Sequence, residues 1–333
     1  MAADISIHQY ICEHIEGGAL PMGFNLTPFD EPDSPIRMAD GAMDGICIYH
    51  MADAALPQDI EQRIADALAS ICAGEAETAG PALESMLREH RAVCLVDQIQ
   101  RAVMGNTDRI NPGALMRYAI QLMFTSHDKE MVKLGLILFE LFENPIDELK
   151  EIVRELGLCD EFTIFAAWCA RNWECGNDEI FAMARKAKGW GRIHCVEMIA
   201  PETPEIRDWL LHEGADNAVM PEYSAATCIE KAQVAERLNA PIPPDEFKSV
   251  SFLLAAAAEE NGPVAPLLMN STTKDLFDRY LDRMAEQPEN ARCDASVQEC
   301  LTRLADYCES AGWSDLAARC RTADGRTVEY AGE

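Results

Sequence analysis

Along most of this chain, apolar positions recur at intervals of three and four, the spacing that lines one face of an α-helix. Ile5, Ile7, Ile11, Cys12 and Ile15 predict a helix over 4–16, stopped by Gly17-Gly18. The pattern then breaks. Over 17–57, Pro21, Pro28, Pro32, Pro35 and Pro57 alternate with Gly23, Gly41 and Gly45, which forbids a long helix. Only Ile46-Cys47-Ile48-Tyr49 reads as regular structure there, as a short strand. A stretch this irregular either caps the helical body or lines a site. From residue 58 the helical period returns, first as the stripe Ile60, Ile64, Leu68 and Ile71.

From about residue 110 the helices come in pairs. Asn111-Pro112, Asn144-Pro145, Asn177-Asp178 and Thr203-Pro204 each open a first helix, with a capping side chain, a Pro at the first helical position, or both. His127-Asp128, Asp160, Gly189-Trp190-Gly191 and Pro221-Glu222 open the second helices, at a period of about 31 residues, within the range that marks stacked repeats. The expected fold class is therefore all-α: an α-solenoid of helix pairs in an α/α superhelix, with an irregular N-terminal segment. The expected organisation is a helix and capping segment over 1–57, repeats over 58–240, further helices over 241–322 that continue the stack, and a frayed tail over 323–333. The prolines at 241, 243 and 244 mark the candidate boundary.

The segment Gly191-Arg192-Ile193-His194-Cys195-Val196-Glu197-Met198-Ile199 resembles the second helix of bacterial HEAT-like repeats of the phycobilisome-lyase type. There, an Arg near the helix start precedes small and apolar positions. The resemblance covers about residues 110–235, and Lys133 and Thr163 depart from it at the position of Arg192. It implies an architecture and a curved face for partners or small ligands, not an activity.

Composition narrows the function. The chain has 28 Lys and Arg against 57 Asp and Glu, a formal charge of −29. Such a surface is repelled by phosphate backbones and anionic membranes, so neither nucleic acid nor membrane is an expected partner. A protein partner is expected, a basic one where charge decides. A helical-repeat DNA glycosylase would need a positive groove and is disfavoured. The thirteen cysteines contain no CxxC and mostly sit among apolar neighbours, which predicts free thiols in the cytoplasm. The start Met1-Ala2-Ala3-Asp4 predicts no signal peptide, and no apolar run reaches membrane length.

The motifs that carry chemistry are weak. His127-Asp128 is a fragment of a metal dyad, but Asp128 stands where a helix cap is expected. His212-Glu213 has the order of helical-repeat metalloenzymes, yet it closes a helix, where a His is favoured by the dipole alone. Gly189-Trp190-Gly191 reads as a tight turn with left-handed glycine rather than a nucleotide loop. No metal and no cofactor are expected. The richest stretch is 168–223, which holds four of the five tryptophans and a basic cluster. Candidate binding residues are Trp190, Arg192, His194, Glu197, Arg207, Asp208, Glu222 and Tyr223, with His194 or Glu197 for acid–base work. The competing account makes the tryptophans inter-helix core. Two functions follow: a non-catalytic scaffold or protein-binding module, or a small-molecule-binding protein or enzyme with a pocket around Trp190, Arg192, His194 and Glu222.

Overall fold

The computed structural model of the chain describes residues 5–30, 37–51, 55–143 and 145–323. Among them the regular structure is helical; the sole β feature is an isolated bridge between Glu16 and Ala19. Asn144, Pro32, Pro35 and the tail over 324–333 lie outside the described residues. Two compact units divide at Met198–Ile199.

The first unit holds α1 (Ile7–Glu13), α2 (Ala42–His50), α3 (Ile60–Cys72), α4 (Ala76–His90) and α5 (Val96–Met104). It continues with α6 (Pro112–Thr125), α7 (Lys129–Glu140), α8 (Asp147–Leu156), α9 (Thr163–Ala170), α10 (Gly176–Lys186) and α11 (Trp190–Met198). The pairs α6–α7, α8–α9 and α10–α11 pack against each other, and α7, α9 and α11 touch in a row. Sequence explains the two roles. In α8 only Ile152, Val153 and Leu156 are buried, a stripe on an otherwise charged helix. In α7 eleven of twelve residues are buried and in α9 seven of eight, as expected of helices walled on every side. Each fully buried Leu, Ile or Phe there contributes about 1.5–3 kcal/mol.

Several caps form as the sequence predicts. Asn111 accepts from the Ala114 N–H at 2.9 Å, Asp128 from Met131 at 3.0 Å and Thr203 from Ile206 at 3.2 Å. Asp160 does something else. Its carboxylate leaves its own helix and accepts the Gly191 N–H at 2.9 Å and the Gly189 N–H at 3.2 Å, capping α11 in the next pair. That corrects the reading of the two glycines: neither has positive φ. A Cβ on Gly189 would lie 2.8 Å from the Asp160 carboxylate, and one on Gly191 2.5 Å from Thr163 Oγ1. Glycine is needed there for close approach, not for a left-handed turn. Asn177 likewise falls inside α10, whose N-cap is Cys175.

The second unit holds α12 (Pro204–His212), α13 (Glu222–Lys231), α14 (Val234–Arg237), α15 (Pro244–Ala257), α16 (Ser271–Glu286), α17 (Glu289–Arg292), α18 (Ala295–Ser310) and α19 (Ser314–Ala323). Helices α13, α15 and α18 adjoin in sequence, and α19 closes on α18 and α16. Pro243 and Pro244 form the entry to α15. In the core, Phe247 and Tyr280 stack at 4.9 Å, and the buried Tyr280 hydroxyl meets Ser251 Oγ at 2.8 Å. No helix among the described residues is long and apolar enough to cross a membrane.

Candidate functional site

The expected strand at Ile46–Tyr49 is helix. It lies within α2, whose N-cap Gly41 has φ +76°. Among the described residues no neighbouring strand pairs with it, whereas α2 buries Ala42, Asp44, Gly45 and Cys47 against the helical body. Two glycines permit that seating. A Cβ on Gly41 would stand 2.5 Å from the Asp160 carbonyl, and one on Gly45 2.1 Å from the Trp190 ring. The N-terminal segment carrying α2 thus settles directly on the row of inner helices.

Charge fastens it. From the segment come Asp30, Asp40 and Asp44; from the body come Lys129, Lys133 and Arg91. Lys129 Nζ meets Asp30 at 2.6 Å and Asp40 at 3.8 Å. Asp40 also accepts the Leu26 N–H at 3.0 Å, and the Gly41 N–H donates to Glu161 at 2.7 Å. Lys133, which is 0% exposed, sits inside a ring of carboxylates. It hydrogen-bonds Glu130 at 3.0 Å and makes ion-pair contacts with Asp44 and Glu161, both at 2.6 Å.

The ring holds more negative than positive charge, and its titration reflects this. Burial pushes Asp40 up to about 6, with Glu161 adding to the shift. Burial likewise raises Asp44, more than its cations pull it down. Glu161 moves the other way: burial opposes ionisation, but Lys133, Lys129 and the Gly41 N–H outweigh it. For Lys133, burial alone would favour the neutral amine; Asp44, Glu161 and Glu130 overcome that and keep it charged.

Arg91 joins this ring to solvent. Its guanidinium bonds Asp44 at 3.2 Å and Glu130 at 2.9 Å, and the next N–H, on Ala92, donates to Glu130 at 2.7 Å. Its backbone is held at φ 62°, ψ 139°, a region that a residue with a side chain rarely adopts, at a cost on the order of 1–3 kcal/mol. Beside it opens a polar cavity of about 310 Å³. The charged walls are Arg37, Arg88, Arg91 and Lys129 against Asp30, Asp128, Glu130 and Glu161, with Phe29, Met38 and Met43 between them. Helix α2 and the turn after Arg91 also line a larger cavity of about 580 Å³, walled by Cys47, Ile48, Val93, Cys94 and Trp168. Its mostly apolar lining offers few groups to orient a ligand.

No protein-family model, curated protein or solved structure matches this chain.

The residues singled out in the sequence lie elsewhere. Trp190, Arg192 and His194 are buried in the first unit at 6%, 1% and 2% exposure. His194 packs in a triangle with Tyr49 and Trp190, the three ring centroids lying 6.0–6.1 Å apart, and neither of its ring nitrogens has a hydrogen-bond partner. Burial drives it down to about 4, so it stands as a neutral core imidazole and not as a base poised near neutrality. Glu197 is exposed and accepts from the Tyr49 hydroxyl at 2.6 Å. In the second unit Arg207 donates to the Pro201 carbonyl at 2.7 Å, and Asp208 meets Arg237 at 2.5 Å. Glu222 lies 3.7 Å from Arg303, and Tyr223 is half-buried. None of the eight lines either of the two cavities described above.

Proposed function

We propose that the first unit binds a small zwitterionic solute in the polar cavity between the N-terminal segment, helices α4 and α7, and Glu161 just before α9. The observation that carries this is the fully buried Lys133 in its carboxylate ring, coupled through the strained Arg91 to a cavity lined by both signs of charge. Buried ion clusters are seldom worth more to stability than an apolar core of equal volume. Strained backbone and shifted ionisation concentrate at functional sites. A volume of about 310 Å³ suits a molecule of amino-acid size. Arg88 and Arg91 offer planar donors for an anionic group, and Asp30 and Glu130 offer acceptors for an ammonium.

The surrounding helices, on this reading, are a HEAT-like α-solenoid that supplies a rigid wall. The row α7, α9 and α11 supports it. The thirteen free cysteines support a cytoplasmic location.

Thermal shift of the full chain against amino acids, amino sugars and diamines tests the proposal, with Arg88→Ala as the comparison. Arg88 stands at the rim, half-exposed, pairing with Asp128 at 2.7 Å and Glu84 at 2.9 Å, so its loss leaves the core intact. Zwitterions should raise the wild-type midpoint and leave the variant unmoved; a flat wild-type profile refutes the site. In that event the packed helix row favours the scaffold reading. A basic protein would then be recovered in stoichiometric amount from native cells, drawn to the −29 surface.

A further inference from the structure

Away from that cavity, three side chains of different chemistry converge where α1 meets α8. His8 and Cys12 are one helical turn apart on α1, so both point from one face. Glu155 reaches them from α8. His8 Nε2 lies 2.8 Å from Glu155 Oε2 and 3.5 Å from Cys12 Sγ, and the three donor atoms all fall within 4.8 Å of one another. His8 is held in place: it is 8% exposed, its ring stands edge-on to Phe124 at 4.9 Å, and the Ile7 N–H before it donates to the Ser126 carbonyl at 3.0 Å.

We infer that His8, Cys12 and Glu155 form a binding site for a borderline divalent metal of the zinc class. The donor set decides the class. One imidazole nitrogen, one thiolate and one carboxylate suit Zn²⁺ or Co²⁺, whereas Mg²⁺ and Ca²⁺ require oxygen. The spacing agrees. Bonds of about 2.3 Å to sulfur and 2.0–2.1 Å to nitrogen, at the tetrahedral angle, put those two donors about 3.5–3.6 Å apart. The observed sulfur–nitrogen distance is 3.5 Å. The carboxylate oxygen would have to draw back by about half an ångström to reach its own tetrahedral distance. Glu155 is 28% exposed and has room to do so. Three protein donors leave a fourth position for water, and the part-exposed Cys12 and Glu155 give the ion a way in. An ordinary His–Glu salt bridge with the thiol hydrogen-bonded to it makes the same contacts without an ion, and cobalt binding separates the two.

The test is Co²⁺ titration of the metal-stripped full chain, read by visible and near-ultraviolet absorption. The expected result is one equivalent of tetrahedral cobalt with a thiolate charge-transfer band. Both features should vanish in Cys12→Ser and the affinity should fall at least tenfold in Glu155→Gln. No tetrahedral spectrum in wild type, or an unchanged one in Cys12→Ser, overturns the site, since twelve other cysteines would then hold any metal bound. X-ray absorption at the zinc edge of the wild-type protein needs no variant. One sulfur with three nitrogen or oxygen neighbours is expected; an all-oxygen shell or two or more sulfurs refutes the assignment.

Discussion

Replacing Lys133 with Met is the most direct test of the buried ring. The two side chains are similar in length, so no cavity opens and the change is one of charge. Lys133 has three carboxylates at 2.6, 2.6 and 3.0 Å. At an effective dielectric of about 20, each such pair carries a gross attraction of roughly 5.5–6.5 kcal/mol, much of it cancelled by desolvation. Breaking a buried pair from one side typically costs 3–5 kcal/mol, and here three carboxylates would be left with Arg91 and the more distant Lys129. Those carboxylates would escape by taking up protons. Their folded pKa values would rise above the unfolded ones, so the folded variant would bind more protons than the unfolded chain. The penalty is then full above the raised folded values and shrinks as pH falls toward the unfolded carboxylate range near 4. Urea denaturation of wild type and variant at pH 8 and pH 5, followed by tryptophan emission, measures the gap at both ends. It should be about 3–5 kcal/mol at pH 8 and at least halved at pH 5, and Asp44→Asn added to Lys133→Met should recover part of it. A gap below about 1 kcal/mol at pH 8, or one indifferent to pH, refutes the reasoning.

Two further perturbations probe the seating of α2 and the aromatic stack beneath it. Gly45→Ala drives a Cβ into the Trp190 ring and should destabilise by about 1–3 kcal/mol with altered tryptophan emission; an unchanged midpoint in chemical denaturation would sink the packing argument. His194 has its folded value lowered by burial to about 4 from 6.5, so its contribution is intact above pH 6.5 and is lost as pH falls from there toward 4, by roughly 3 kcal/mol in all. His194→Phe should therefore flatten the acid limb of the stability profile, and parallel profiles from pH 7.5 to 4.5 would contradict a buried neutral imidazole.

What the sequence discloses and what it hides follow from range. The helix starts at Pro112, Lys129 and Pro204 are local events, each written within four residues by a cap or a proline, and all were legible. Helix α2 was not, because Ile46-Cys47-Ile48-Tyr49 is apolar without a decisive period and its seat is made by Trp190, far along the chain. Asp160 was misplaced for the same reason: capping position was clear, but its partners lie 29 and 31 residues ahead. The charge ring joins residues 44, 91, 130, 133 and 161, none of them neighbours in a motif. One clue was present. Lys133 interrupts Met131-Val132 and Leu134-Gly135-Leu136 in a helix apolar on all sides, where a cation has to find buried partners. Arg192 in α11 is a second cation buried in the inner row.

Two accounts compete for the ring, and Glu130 separates them. If the charges existed only to fasten the N-terminal segment, every pair would join segment to body, as Asp44 joins Lys133 and Asp30 joins Lys129. Glu130 joins nothing of the kind: its partners Lys133, Arg91 and the Ala92 N–H all belong to the body. Asp128 and Arg88 are likewise both body residues. Glu130 and its donors instead hold Arg91 in a backbone conformation that costs energy, and Arg91 and Glu130 both face the cavity. A fastening needs neither the strain nor the surplus carboxylate. A pocket that must keep one guanidinium fixed at its wall before a ligand arrives needs both, because a pre-positioned donor loses no conformational entropy on binding.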